Sequence, residues 1–234
     1  LLLTGSITPC QTNRAKVIIF ESIYSMDGDV SPIVDIAELA EKYNALTFLD
    51  EVHAVGMYGE TGAGYSELLD VEDKIDIIQS TMAKGIGVIG GYIVGKHEII
   101  DMIRSFASGF IFTTALPPSI VAGCLASVNH IKNSDRERNL LHERTMYLRE
   151  KLNQYDIPIL PESTTHIVPV VIGDSAKCKQ ASEELIKNFN IYVQPINYPT
   201  VEKGTERFRI NVTPNHTEEH IDTLCLAISS VFNK

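Results

Sequence analysis

The sequence predicts an α/β fold: a larger unit built on a mainly parallel sheet, followed by a small α+β unit. Three observations carry this. Lys16-Val17-Ile18-Ile19-Phe20 and Ala45-Leu46-Thr47-Phe48-Leu49-Asp50 are strand-like runs separated by one amphipathic stretch. A β-α-β order with a short return is most economically a parallel pair. A third apolar run through Ile75, Ile77 and Ile78 ends in Ser80 and Thr81, and beyond Gln154 the pattern becomes strand, helix, strand, strand, helix.

Taken in order, the first strand exits into Glu21–Asp29, a polar turn containing Gly28. Ser31-Pro32 opens a helix with Pro32 expected at its first position, and Ile36, Leu39, Ala40 and Tyr43 form the expected apolar stripe. Gly56, Gly59, Gly62 and Gly64 make the stretch after Asp50 read as a mobile loop over a site. Gly91 to Val94 is a further strand, and Lys96 to Phe106 is amphipathic through Ile99, Ile100, Met102 and Ile103. Phe110 to Thr114 reads as a short strand ending in two hydroxyls. Pro117-Pro118 opens a long helix to about Gln154, with one candidate break near Asn133-Ser134. Ile157 to Ile172 is strand-like, Cys178 to Phe189 helical, and Ile191–Val193 and Arg207–Ile210 are strands. Thr217 caps a final helix, with Glu218 and Glu219 suited to its first turn. The long helix is the expected hinge, dividing the chain into 1–128 and 129–234.

The chain has 234 residues, 44% apolar, with a net charge of −10. That balance argues against a nucleic-acid partner, and no apolar run approaches the roughly 20 residues of a membrane span. Cys10, Cys124, Cys178 and Cys225 form no CxxC pair and are expected to be reduced thiols of an intracellular protein. Asn211-Val212-Thr213 and Asn215-His216-Thr217 match the glycosylation pattern by chance. The opening Leu1-Leu2-Leu3 has no initiator methionine and no basic region, so the chain is expected to be cut from a longer protein.

The chemistry centres on Ser80-Thr81-Met82-Ala83-Lys84-Gly85. Taken alone, Lys84 is read first as a solvated loop lysine. The upstream run changes this, because it ends in Asp50 with His53 three residues on. Ligands of open α/β sheets sit beyond the carboxyl ends of the strands. Asp50, His53 and Lys84 are therefore expected to converge. A lysine of lowered pKa forms imines. With an acid to keep a pyridine nitrogen protonated and an imidazole to orient the ring, these are the needs of a pyridoxal-phosphate site. Two motifs overlap these residues without carrying function. Gly85-Ile86-Gly87-Val88-Ile89-Gly90 matches the dinucleotide fingerprint but runs into a strand instead of a helix. Asp50-Glu51-Val52-His53 resembles a nucleic-acid-dependent ATPase box, yet the chain contains no GxxxxGK[ST].

Ser25-Met26-Asp27-Gly28-Asp29, Asp50-Glu51-Val52-His53-Ala54, Thr81 to Lys84, and Phe110 to Thr114 with Leu116-Pro117-Pro118 together resemble the α-oxoamine synthases. These are pyridoxal-phosphate acyltransferases of fold type I that join an amino acid to an acyl-CoA. The resemblance implies an incomplete large domain followed by a small C-terminal one. It implies that Lys84 holds the cofactor and later moves protons, that Asp50 pairs with the ring nitrogen, and that His53 and Ser25 contact its phenolic side. Thr81 is implied as a phosphate ligand, with Thr113 and Thr114 reaching the phosphate of the other subunit across a homodimer. Arg209 is implied to bind the amino-acid carboxylate and Thr200 to lie by the acyl-CoA carboxylate.

Within the family, Ser22-Ile23-Tyr24-Ser25, Gly109 to Thr114, Tyr198-Pro199-Thr200-Val201 and Gly204 to Arg209 look like the members that condense glycine with succinyl-CoA. Their products are 5-aminolevulinate, CoA and carbon dioxide, the first step of tetrapyrrole and heme synthesis. The alternatives are a sister enzyme of the 8-amino-7-oxononanoate synthase or 2-amino-3-ketobutyrate CoA ligase type, or a non-catalytic subunit. The expected location is a bacterial cytoplasm, with the mitochondrial matrix as the alternative. Ala83 and Gly85-Ile86 depart from the commonest family spelling around the lysine, and Asn211-Val212 from the usual Thr-Pro-like continuation. The family's N-terminal part, with its ring-stacking aromatic residue, is absent, so the fragment alone is expected to be inactive.

Overall fold

The computed structural model describes residues 14–232; the expectations for Leu1-Leu2-Leu3 and Cys10 lie outside them. The first sheet holds β1 (Val17–Glu21), β2 (Leu46–Asp50), β3 (Ile77–Thr81) and β4 (Gly91–Gly95) in that spatial order. The first three are parallel and β4 closes the edge antiparallel. Helix α1 (Ile33–Tyr43) makes the return between β1 and β2 and stops at Asn44, whose left-handed backbone (φ 47) lets its N–H reach the Ala40 and Glu41 carbonyls. Phe20, Leu49 and Ile75 pack against Ile33 and Ala37. Each such large side chain contributes about 1.5–3 kcal/mol when fully buried. The expected stripe is thus rotated: Leu39 and Tyr43 are 45% and 54% exposed, and Pro32 lies just before the helix instead of at its first position.

The glycine-bearing stretch is not a loose lid. Gly56 N–H donates to the Gly62 carbonyl at 2.8 Å, and Glu67 of the short helix α2 (Tyr65–Leu68) accepts from Thr61 N–H, Thr61 Oγ1 and Ala63 N–H. Arg138 adds a bond of 2.6 Å to the Glu60 carbonyl. Helix α3 (His97–Phe106) is followed by α4 (Ser108–Ile111), so Phe110–Thr114 is a helical turn and its exit, not a strand. The Phe110 and Ile111 N–H groups both turn back onto the Ala107 carbonyl, which removes them from any ladder. The long helix divides into α5 (Pro118–Asn133) and α6 (Arg136–Gln154), broken at Ser134 and Asp135.

The second sheet holds β5 (Ile167–Val171), β7 (Arg207–Asn211) and β6 (Pro195–Ile196), antiparallel and in that order. Of Ile157–Ile172 only the last part is a regular strand, and β6 falls after Ile191–Val193. Helices α6, α7 (Ser175–Phe189) and α8 (Glu218–Phe232) supply Leu148, Leu152, Leu185 and Ile228 to a core with Val168, Val170 and Phe208. Thr217 Oγ1 accepts from His220 N–H, the expected cap of α8. Ile23, Ala54, Tyr58 and Ile167 join the two sheets. Gly28 makes this junction possible: its φ is +68°, and a Cβ there would stand 2.5 Å from the Ile167 carbonyl oxygen. Cys124, Cys178 and Cys225 are free thiols. Among the described residues no helix is long and apolar enough to cross a membrane.

Candidate active site

The carboxyl ends of the three parallel strands lie in register, pairing Glu21 with Asp50 and Asp50 with Gln79. Side chains at paired positions share a face of the sheet. Asp50 therefore stands at the sheet's open end, where its Oδ1 accepts from Val52 N–H at 2.9 Å. Beyond β3 the chain turns tightly. Thr81 Oγ1 donates to the Gly90 carbonyl at 2.9 Å and accepts from Ala83 N–H at 3.2 Å. Gly85 sits so close to the turn after β2 that a Cβ would fall 2.2 Å from the Val55 oxygen. This approach brings Lys84 Nζ to 3.1 Å from His53 Nε2.

Electrostatics divides these groups. Burial pushes the His53 imidazole down to about 4, with Lys84 and Arg209 adding like charge, so it is neutral near pH 7. The Lys84 ammonium is lowered first by burial and then by Arg209, while Asp50 and Glu21 oppose the shift. Glu21 is raised by burial and by Asp50. A neutral imidazole at hydrogen-bond distance from a lysine of lowered pKa can accept a hydrogen bond from it and orient it.

Arg209 enters from the second sheet. Its Nε donates to the Ser25 carbonyl and its Nη1 to Asn211 Oδ1 at 3.0 Å, which fixes the guanidinium plane. The neighbouring Arg207 is 4% exposed and holds the same loop, bonding the Met26 carbonyl and Asp27. Ser25 is thus brought to the site, with its carbonyl engaged by Arg209. Thr200 lies in a cleft of about 530 Å³ shared with Ser25, Asp27, Tyr198 and Arg207. Thr113 and Thr114 are not gathered into this group; they follow α4 on an exposed segment.

Three residues escaped the sequence reading. Glu51 is fully buried and accepts from Ser22 Oγ, Tyr65 N–H and Ser66 N–H, so it joins β1, β2 and α2. The signal was available: beside Asp50, alternation turns Glu51 inward, where a carboxylate needs several donors. Glu21 ends its strand in register with Asp50, a placement that pairing alone reveals. His166 lies 4% exposed at the junction, bonded to Tyr58 across 108 positions of sequence, and no local pattern signals it.

The model for class I and II aminotransferases matches residues 3–228. The chain belongs to this family. Among curated members of known name, the 5-aminolevulinate synthase of Rickettsia bellii is 54% identical over 220 residues, covering 94% of this chain and 53% of that protein. That of Rhizobium meliloti is 51% identical over 232 residues, covering 99% and 57%. The chain therefore spans about half the length of the curated relatives it matches. A serine palmitoyltransferase from S. paucimobilis, solved with bound PLP–myriocin, superposes with a TM-score of 0.89 at 27% identity, covering 94% of this chain and 56% of that one. The family places the two sheets described above within the α/β pyridoxal-phosphate transferase fold.

Proposed function

We propose that this chain is the lysine-bearing part of a 5-aminolevulinate synthase, a pyridoxal-phosphate enzyme that condenses glycine with succinyl-CoA to 5-aminolevulinate, CoA and carbon dioxide. The observation that carries the reading is the meeting of Lys84 and His53 at 3.1 Å beyond the ends of β2 and β3, under the electrostatic influence of Arg209 from the second sheet. The identity to named synthases supports the choice of substrates.

The donor set fits pyridoxal phosphate: an amine of lowered pKa, a carboxylate at the adjacent strand end, and a neutral imidazole 3.1 Å from the amine. Lys84 would hold the aldehyde carbon, Asp50 the ring nitrogen, His53 and Ser25 the phenolic side, and Thr81 the phosphate, with Thr113 and Thr114 serving the phosphate of a second subunit. Bound there, the ring supplies an electron sink for charge developing at the glycine α-carbon. Lys84 Nζ takes the α-proton, and its lowered pKa raises the fraction of free amine near neutral pH. His53 Nε2 accepts a hydrogen bond from Nζ and keeps the amine in place. Arg209 binds the glycine carboxylate through a bidentate pair that lysine cannot reproduce. Thr200 positions the distal carboxylate of the acyl-CoA. The same reading divides the chain into 1–128 and 129–234, makes the protein a cytoplasmic homodimer, and excludes nucleic-acid and membrane partners.

The test uses the full-length protein. Product analysis with glycine, alanine or serine, each paired with succinyl-CoA, butyryl-CoA or palmitoyl-CoA, should show glycine with succinyl-CoA as the preferred pair, giving 5-aminolevulinate. Preference for another pair replaces the reading with a sister enzyme. Lys84→Ala should abolish the cofactor band that survives borohydride reduction and denaturation; a band that persists removes Lys84 from its role.

A further inference from the structure

One turn that follows β1 is held by residues of the second sheet and its approach. The turn Tyr24–Gly28 closes on itself, Gly28 N–H donating to the Tyr24 carbonyl at 2.9 Å. Three other carbonyls of the turn accept from the far side. That of Ser25 takes Arg209 Nε, and that of Met26 takes Arg207 Nη1 at 3.3 Å. That of Gly28 takes Thr165, through Oγ1 at 2.9 Å and N–H at 3.3 Å. Arg207 also pairs with the Asp27 carboxylate, and its Nε donates to the Thr205 carbonyl at 2.8 Å. Arg207 is buried in this grip, whereas Asp27 is half-exposed. Alternation along β7 sets up the arrangement. Phe208 and Ile210 enter the core, so Arg207 and Arg209 leave the strand on its other face. The ladder with β5 already fixes β7 from Arg207 to Asn211. The fork of Arg207 therefore serves the turn and not the sheet.

We propose that Arg207 is a positioning residue: with Asp27 it locks this turn, so that Ser25 and Arg209 meet the cofactor and the amino acid as one unit. The inference rests on the function proposed above and names what aims its carboxylate-binding arginine. Arg209 is oriented by its Nε on the Ser25 carbonyl. The next carbonyl along the chain is that of Met26, which Arg207 holds. Peptide units are rigid planes, so a turn released at Met26 is displaced at Ser25 as well. The guanidinium then loses its bearing, and the Ser25 hydroxyl leaves the ring. Arginine suits the task because its planar fork meets two carbonyls and a carboxylate in fixed directions, which the single ammonium of lysine does not. Asp27 adds a charge-assisted bond and compensates a buried cation. In this scheme neither residue touches the amino acid; both act through Ser25 and Arg209.

The experiment uses the full-length enzyme and the amino acid that it uses best among glycine, alanine and serine. Arg207→Gln and Asp27→Ala should each raise KM for the amino acid about tenfold, the effect of one lost hydrogen bond to a charged group. Asp27→Asn, which keeps an acceptor for Arg207, should restore most of the loss. In an Arg209→Lys background Arg207→Gln should add little, because both changes act on the same guanidinium. The pH at which the absorbance of the bound cofactor changes should also shift in Arg207→Gln. In the cofactor-free protein, amide exchange across Tyr24–Gly28, followed by mass spectrometry, should be about tenfold faster in both single variants, with β5 protected as before. Asp27 is half-exposed, so Asp27→Ala decides the matter if Arg207→Gln does not fold. A folded variant with unchanged amino-acid KM overturns the proposal. So does full additivity with Arg209→Lys, or unchanged exchange across the turn. A preference for alanine or serine over glycine overturns the proposed function but not this inference, which concerns the carboxylate common to all three.

Discussion

At the scale of single residues, the adjacent carboxylates Asp50 and Glu51 do different work. Asp50 stands at the open end of β2, its carboxylate bonded among the described residues only by Val52 N–H, whereas Glu51 is held by three donors, two of them from α2. Asp50→Ala should therefore cost activity by orders of magnitude while leaving stability nearly unchanged. Glu51→Ala leaves neutral buried donors without an acceptor and should cost about 1–3 kcal/mol for each that stays unpaired. Urea denaturation and steady-state kinetics on both variants separate the two; a stable Glu51→Ala protein contradicts the assignment. His53 makes a second prediction. Its folded pKa of about 4 lies below the unfolded value of 6.5, so the unfolded chain binds more protons between these values. Stability from this group is complete above pH 6.5 and is lost as pH falls toward 4. His166, lowered to about 3, acts in the same direction. Denaturant midpoints measured across that window should fall with pH, and fall less steeply in His53→Gln.

At the scale of elements, the turn after β3 is shaped by what it lacks. Thr81 closes it from within, and the missing side chain of Gly85 lets it rest on the Val55 carbonyl. Gly85→Ala would place a Cβ 2.2 Å from that oxygen. The turn must then lift, carrying Lys84 away from His53. An overpacked contact of this kind typically costs about 1–3 kcal/mol. Gly85→Ala should weaken cofactor binding about tenfold or more in a spectrophotometric titration. Unchanged affinity would show that the turn has slack. Strand β7 is the counterpart in the second sheet. Arg207 and Arg209 project on the same side and both grip the loop Ser25–Asp27, which ties the arginine of the site to the strand ends of the first sheet.

At the scale of the whole molecule, Thr113 and Thr114 lie on an exposed segment after α4, and among the described residues no hydrogen bond joins them to Lys84 or His53. Their proposed role therefore requires a second copy. In the full-length protein, mixing Lys84→Ala subunits with Thr113→Ala/Thr114→Ala subunits should restore part of the activity, because one of the two hybrid sites is intact. Subunit exchange must be shown independently, for example by mass-tagged chains. No recovery despite exchange would argue that each site is built from one chain.

The sequence by itself determined most of the elements, and it put Asp50, His53 and Lys84 just beyond two strands, of which the structure brings Lys84 and His53 together. Apolar runs ending in Asp50 and Thr81 are local signals, and ligands lie beyond the carboxyl ends of parallel strands whatever the rest of the chain does. It also determined the small unit's element order. It misread Phe110–Thr114, since aromatic and β-branched residues suit a strand by propensity while local turn bonds settled the outcome. It misread the face of α1 as well, because which apolar stripe is buried depends on the sheet that the helix meets. Only the tertiary structure decided the partners that are distant in sequence: Glu51 with Tyr65 and Ser66, Arg207 with Asp27, and Tyr58 with His166. A buried polar group must find a partner, but its own sequence neighbourhood does not say which; the packing of the two sheets against each other makes that choice.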